Sequence, residues 1–262
     1  MSRIQATFEQ LAKNRRKALI PFVTAGDPDP GMTVALMHAL VAAGADVVEL
    51  GVPFSDPIAD GPEIQRAGQR ALKAGTRPRD VIDLAARLRA TTDLPLVLMA
   101  YMNTVLAMGL SAFAERSSRA GVDGVIVPDL SLEDSDEVRE ALDLVGVDHI
   151  QLVAPSTDEA RAKEIGRASR GFLYAVARYG TTGTRDALPE DLGARLGILR
   201  RVTSLPLAVG FGVTTPDHVR SLVAAGADGI VVGSAIVKFA AEDARPAAVE
   251  KFVAGLASAL RA

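Results

Sequence analysis

The chain has 262 residues, of which 48% are hydrophobic and 23% charged, and its formal net charge is −3. This balance gives no reason to expect nucleic-acid binding, and no apolar run approaches the length that spans a membrane. The absence of cysteine excludes disulfides, thiolate chemistry and cysteine-bound zinc. The three histidines lie far apart in the sequence. We therefore expect no metal site, and any catalysis would rest on carboxylates, hydroxyls, tyrosines and backbone dipoles.

A charged N-terminal stretch and a short repeat organise the chain. Charges at residues 3–16 argue against a signal peptide, so we expect a cytoplasmic protein. Residues 43–51 read AGADVVELG and residues 225–233 read AGADGIVVG, with weaker copies at 120–128 and 145–152. Each copy predicts a helix that ends at glycine, a short turn, and a strand buried on both faces.

Further strands are predicted at 18–23, 96–100, 172–176 and 207–209, which brings the number to eight. Helical patterns separate them, at 30–43, 62–74, 78–90, from a Ser131 cap to Val145, after a Thr215 cap, and at 249–260. An additional helix precedes the first strand and presents Ile4, Phe8 and Leu11 on one face, where it would close the bottom of a barrel.

The alternation of strands and helices predicts an α/β fold, a single (β/α)8 TIM barrel with an extra N-terminal helix. No linker or low-complexity segment divides the chain, so residues 1–262 are predicted to form one domain. An open doubly wound sheet is the alternative architecture. It is disfavoured because no Gly-x-Gly-x-x-Gly follows the first strand.

Two carboxylates stand out between residues 47 and 62. Glu49 falls in the middle of a buried strand, where a carboxylate is costly unless it is paired or functional. Three prolines then stiffen a loop that carries Asp60. One interpretation is that both carboxylates point into one pocket and that burial lets Glu49 exchange protons near neutral pH. The alternatives are an ion pair between Glu49 and a base such as Arg178, and an Asp60 that caps the next helix.

In this fold the active site lies at the C-terminal ends of the strands. Phe22, Ile126 and Phe211 would give apolar walls for a flat ring there, or they simply pack in the core. Tyr101 and Tyr174 would hydrogen-bond the site or pack around it.

Glycines after the last two strands predict a phosphate cradle. Residues 210–212 read GFG, and Gly233 is followed by Ser234, whose hydroxyl would add a donor. The alternative is that these glycines make tight turns and Ser234 caps a helix. The long polar segment 179–191, which includes Thr182 and Gly183, would be a lid over the substrate or an ordinary surface loop.

Several long motifs, in order, resemble the tryptophan synthase α subunit family over nearly the whole chain. They are LIPFVTAGDP at 19–28, VELGVPFSDP at 48–57, IADGP at 58–62, GVIVPD at 124–129, GFG at 210–212 and GSAIV at 233–237. The resemblance implies retro-aldol cleavage of indole-3-glycerol phosphate to indole and D-glyceraldehyde 3-phosphate. Glu49 matches the general acid/base of the family, and Asp60 matches the carboxylate that meets the indole N–H.

Other site positions follow from the same resemblance. Thr182 matches a lid threonine, and the phosphate-binding positions match Gly183, Gly212, Gly233 and Ser234. Phe22, Tyr174 and Phe211 match the pocket lining. Ser131 stands where proline is usual in the family.

The resemblance also implies a partner, a β subunit that uses pyridoxal phosphate and receives indole within an α2β2 heterotetramer. This chain would carry no cofactor of its own, and its contact would use the loops at 53–60 and 128–129. Two other functions are weighed against it: a phosphate-binding barrel isomerase or epimerase, and a barrel that activates a β subunit without turnover. The ordered 49–62 stretch and the intact carboxylates argue against both.

Overall fold

The computed structural model describes residues 1–177, 189–210, 212–243 and 245–260. Its strands are β1 (Ala18–Thr24), β2 (Val48–Gly51), β3 (Leu96–Met99), β4 (Gly124–Ile126), β5 (Asp148–Ile150), β6 (Leu152–Val153), β7 (Leu173–Val176), β8 (Leu207–Gly210) and β9 (Gly229–Val232). Its helices are α1 (Arg3–Lys13), α2 (Pro30–Ala42), α3 (Pro62–Lys73), α4 (Pro78–Arg89), α5 (Met102–Met108), α6 (Leu110–Arg119), α7 (Asp136–Leu144), α8 (Glu159–Ala168), α9 (Leu192–Val202), α10 (Pro216–Ala224), α11 (Ser234–Glu242) and α12 (Pro246–Ser258).

All these strands belong to one parallel sheet in the order β5-β4-β3-β2-β1-β9-β8-β7-β6. The two strands at the ends of this order, β5 and β6, are consecutive in the chain and are separated only by Gln151. The sheet therefore closes into a barrel. The eight predicted strands are all present, and the fifth is divided in two. The strand is interrupted at Gln151, whose N–H donates to the Ser169 hydroxyl over 3.1 Å instead of to a neighbouring strand.

The core has two layers because side chains alternate along each strand. Val48 and Leu50 of β2 point outward into the large apolar layer between the strands and the helices. Val47 points inward, into a smaller cluster with residues of the other strands such as Ile20, Val97 and Ile126. The inner cluster fills the barrel below the C-terminal ends of the strands.

Helix α1 covers the N-terminal end of the barrel, as predicted. Ile4, Phe8 and Leu11 are buried and belong to the inner cluster. The Phe8 ring lies 5.8 Å from that of Phe172, just before β7. With this end closed by apolar side chains, the opposite end is left for the site.

Helix starts follow the predicted capping chemistry in one case and depart from it in another. Thr215 accepts a hydrogen bond from the His218 N–H and caps α10. The prediction that Ser131 caps the next helix is wrong, because α7 begins only at Asp136. Ser131 instead forms a local turn in which its hydroxyl bonds the Asp134 carboxylate over 2.7 Å.

No helix in the described part of the chain is long and apolar enough to cross a membrane.

Acid should destabilise the fold through His149 of β5. Burial lowers the pKa of this imidazole to about 4; the charge of Asp143 opposes this fall, and the charge of Arg139 adds to it. The imidazole therefore binds a proton near pH 6.5 in the unfolded chain but only near pH 4 in the folded chain. The free energy of unfolding consequently falls as the pH drops from about 6.5 to 4. Between pH 7.5 and 4.5 the wild type should lose about 3 kcal/mol more free energy of unfolding than His149→Gln. Urea denaturation at a series of pH values measures both slopes, and equal slopes would contradict the expectation.

Candidate active site

Glu49 is held by the strand ladder on both sides. Its backbone is in register with Phe22 of β1 and Val97 of β3. Since its neighbours Val48 and Leu50 point outward, Glu49 projects into the barrel. A shift of one residue would move the carboxyl to the helix side, so the register of β2 decides where this group lies.

The Glu49 carboxyl is buried without a compensating cation. Its exposed fraction is 1%, and its Oε2 atom has no hydrogen-bond partner within the described part of the chain. Glu49 takes part in no ion pair among the described residues, and Arg178, the base considered above, lies outside them. Burial, and secondarily the nearby Asp60 carboxylate, raises the pKa of Glu49 to about 8. The group is therefore mostly protonated at neutral pH and can give up its proton.

Asp60 is presented by a tightly bonded turn. Its N–H donates to the Pro57 carbonyl over 3.1 Å, and the preceding N–H, of Ala59, donates to the Tyr101 hydroxyl over 3.1 Å. The cap position of α3 belongs to Gly61, which leaves the Asp60 carboxylate free of helix capping. Burial raises the pKa of Asp60 to about 6, and the hydrogen bond from Tyr101 opposes the rise.

Glu49 and Asp60 line the same cavity at the C-terminal end of the barrel. Its walls are mostly apolar, and the predicted residues Phe22, Ile126 and Tyr174 are among them. Sequence reasoning missed a further apolar set formed by Ile64, Met99, Leu152, Val176 and Val213. Met99 and Val176 are the last residues of their strands, so a stricter use of strand ends would have found them. The cavity thus pairs two carboxyl groups with a surface suited to a flat apolar ring.

The far side of this cavity is built from backbone. Gly212, Gly233 and Ser234 all line it. Gly212 has φ +62°, a conformation that side-chain-bearing residues rarely adopt. Ser234 is the first residue of α11, and the cap residue Gly233 makes no side-chain capping bond, so N–H groups at the start of this helix are available to an anion.

The two tyrosines occupy different places. Tyr174 lines the main cavity, and a Cβ on Gly210 would stand 2.1 Å from its hydroxyl, so glycine is required there. Burial raises the pKa of Tyr174 well above 10, so this hydroxyl stays protonated. Tyr101 instead lines a small adjoining cavity with Asp60, Thr24 and Phe54. The predicted residues Thr182, Gly183 and Phe211 lie outside the described residues.

A wider cleft lies at the other end of the barrel. Its volume is about 500 Å³, against about 120 Å³ for the cavity with the carboxylates. Its lining includes Arg16, Lys17, Arg200 and Asp228, and the last three of these are joined in ion pairs. Size alone would select this cleft, but the two carboxyl groups with raised pKa lie in the smaller cavity. In the described ranges no group of histidine, aspartate and glutamate side chains is arranged to hold a metal ion.

Comparison with known proteins identifies the family of this chain. A sequence profile described as "Tryptophan synthase alpha chain" matches residues 8–258. The chain belongs to the tryptophan synthase alpha chain family. It is 47% identical to the tryptophan synthase alpha chain of Geobacter sulfurreducens over 261 residues, which is 100% of this chain and 98% of that protein. The resemblance seen in the sequence motifs is therefore confirmed.

Solved structures of the family carry the same fold. A structure of Mycobacterium tuberculosis tryptophan synthase superimposes with a TM-score of 0.93 at 36% identity, covering 100% of this chain and 99% of that one. Tryptophan synthase subunit alpha from Legionella pneumophila gives 0.90 at 39% identity, with 100% and 99% covered. The predicted (β/α)8 barrel is confirmed.

The buried Glu49 carboxyl should make the stability of this protein fall as the pH rises from about 4.5 to about 8. Its pKa is raised in the folded protein, so the unfolded chain releases a proton near pH 4.5 that the folded chain keeps until about pH 8. The stability advantage of Glu49→Gln over wild type should therefore grow by about 3 kcal/mol between pH 5 and pH 8. Urea denaturation at the two pH values measures it. A constant difference would mean that Glu49 is ionised in the folded chain.

Proposed function

We propose that Glu49 and Asp60 carry out the lyase reaction of the tryptophan synthase alpha chain family in this protein. As a member of that family the chain is a carbon–carbon lyase of L-tryptophan biosynthesis, and it cleaves indole-3-glycerol phosphate to indole and D-glyceraldehyde 3-phosphate. The observation that carries the assignment of roles is one cavity in which two carboxyl groups have pKa values near 8 and near 6. Such a pair provides an acid and an anion at the same pH.

The reaction begins with proton transfer from Glu49. Its carboxyl group donates a proton to the indole ring carbon that bears the glycerol chain, which places positive charge on the ring nitrogen. The Asp60 carboxylate accepts a hydrogen bond from the indole N–H and stabilises that charge. The Glu49 carboxylate then takes the proton of the adjacent hydroxyl while the C–C bond breaks and the aldehyde forms. Glu49 ends as it began, so proton balance is kept without any other group.

The indole ring and the phosphate of the substrate bind to different parts of the cavity. The indole ring lies between apolar walls that include Phe22, Ile126 and Tyr174. The phosphate is bound by N–H groups at Gly212, Gly233 and Ser234, at the start of α11. Thr182 and Gly183 of the 179–191 segment and Phe211 complete the proposed set and stay predictions from the sequence.

The partner is a tryptophan synthase β subunit, in an α2β2 heterotetramer in which only the β subunit carries pyridoxal phosphate. The support is a pair of large apolar side chains at the site end of the barrel. Ile58 is 76% exposed in the loop before Asp60, and Leu106 is 58% exposed on α5. Large exposed apolar side chains of this kind suit a protein contact.

Domain organisation and location complete the proposal. Residues 1–262 act as one domain, since one profile spans 8–258 and the described strands join one sheet. The protein acts in the cytoplasm, where its small-molecule substrate would be available.

The decisive experiment measures indole release from indole-3-glycerol phosphate by the purified chain, with and without β subunit. We expect weak activity alone and a large gain with β. Glu49→Gln should lower the rate at least ~100-fold in both conditions, because the proton donor is lost. Glu63→Gln is the matched control: it removes a carboxylate that pairs with Arg66 outside the cavity, so its rate should stay near wild type.

The outcomes separate the functions weighed from the sequence. A wild-type chain that stimulates β but releases no indole would be the non-catalytic subunit. A chain inactive on this substrate but active on a sugar phosphate would be an isomerase. Full activity of Glu49→Gln with an unchanged circular dichroism spectrum would overturn the proton-transfer role.

The pH dependence of kcat/KM should be bell-shaped. The acid limb, near pH 6, reports ionisation of Asp60, and the alkaline limb, near pH 8, reports loss of the Glu49 proton. Since the groups interact, the limbs belong to the pair of carboxyls. Initial rates from pH 5 to 9 measure the profile. A rate that rises steadily to pH 9 would show that protonated Glu49 is not required.

A further inference from the structure

Two cavities lie side by side at the C-terminal end of the barrel. The main cavity, which Glu49 lines, has a volume of about 120 Å³, and the small cavity beside it has a volume of about 20 Å³. Among the residues of the described ranges, four line both cavities: Phe22, Asp60, Ile64 and Met99. The three apolar members of this set therefore form a partition between the two cavities.

Two members of the partition are fixed by their surroundings. A Cβ on Gly51 would lie 2.4 Å from the tip of the Phe22 ring, and a Cβ on Gly233 would lie 3.4 Å from the same side chain. The Phe22 ring is thus packed directly on backbone. Ile64 lies in the first turn of α3, and its β-branched side chain has few rotamers. Neither side chain can move aside without a shift of the backbone next to it.

Met99 is the third member of the partition, and its direction is set by β3. Its backbone is in register with Gly51 of β2 and Ile126 of β4. Leu98 points outward into the large apolar layer, so Met99 points into the barrel. There it packs against both the inner cluster and the cluster that contains Phe22. The length of the Met99 side chain therefore decides how far the main cavity extends towards the small one.

The Asp60 carboxylate determines which edge of a bound indole ring faces this partition. Asp60 lines both cavities, and in the proposed function it accepts the hydrogen bond of the indole N–H. Carbon 7 is the benzo carbon on the N–H side of the ring, whereas carbon 4 lies on the side of the glycerol chain. A substituent on carbon 7 would consequently meet the partition, and one on carbon 4 would not.

We propose that Met99 is a specificity-determining residue that excludes indole rings substituted at carbon 7. The inference rests on the proposed function, in which Asp60 binds the N–H. The volume of about 20 Å³ behind Met99 exceeds the ~10–15 Å³ that a water-sized group needs. Joined to the space that a shorter side chain would leave, the small cavity accommodates a methyl group. With Met99 in place that group overlaps a packed wall.

Met99→Ala tests the proposal with three substrates: indole-3-glycerol phosphate and its 4-methyl and 7-methyl derivatives. The measured quantity is kcat/KM for release of the indole, expressed relative to the unsubstituted substrate of the same variant, so a general loss of activity cancels. Wild type should cleave the 7-methyl substrate ~10-fold less well than the unsubstituted one, and Met99→Ala should raise this ratio ~10-fold. The 4-methyl ratio should not change. Met99→Val, a smaller change in the packed wall, should give an intermediate gain.

Leu152→Ala is the matched control. Leu152 packs against the same inner cluster as Met99 and lines the main cavity but not the small one. Its 7-methyl ratio should stay near that of wild type. An unchanged ratio in both Met99 variants, an equal gain in Leu152→Ala, or an equal gain for the 4-methyl substrate would overturn the inference. A wild type that cleaves none of the three substrates would instead refute the proposed function, and the inference would fall with it.

Discussion

The proposed site depends on a carboxyl group that is kept out of water and that forms no ion pair with any of the described residues. Glu49 is held on β2 between β1 and β3, where the strand ladder prevents it from reaching solvent. Its exposed fraction of 1% makes the neutral form the stable one, so the group keeps a proton at pH values where an exposed glutamate has lost it. Burial of the two apolar layers stabilises the barrel and offsets the free-energy cost of burying this carboxyl group. A cation beside Glu49 would ease the penalty and remove the acid.

The second carboxylate differs from the first in its surroundings. Asp60 lies on a turn at the rim, is 8% exposed and is bonded by Tyr101, so its pKa rises less than that of Glu49. The Asp60 charge also raises the cost of ionising Glu49, which favours one protonated and one charged carboxyl near neutral pH. Across the cavity, the backbone at Gly212 and the start of α11 offers N–H groups instead of side chains. The proposed acid, the proposed anion and the proposed phosphate-binding backbone thus line one pocket.

Much of this arrangement was predictable from the sequence. The repeated glycine-turn-strand pattern predicted the strands that flank the site, and Glu49 was identified because a carboxylate in an apolar strand is costly. The division of the fifth strand was missed because it depends on the Ser169 hydroxyl, 18 residues beyond Gln151. The start of α7 was misplaced because Ser131 bonds its own turn, and such local competition is not visible in a capping motif alone.

By itself the sequence determined the fold class, the two carboxylates and the glycine-rich side of the pocket, because each of these depends on residue type and periodicity along the chain. Only the tertiary structure decided that Asp60 does not cap α3 and that Tyr101 bonds the turn at Ala59 rather than lining the main cavity. These facts depend on which loops meet after the sheet has closed. Contacts between residues 40 or more positions apart, such as Ala59 and Tyr101, leave no periodic trace in the chain, whereas burial and strand alternation do.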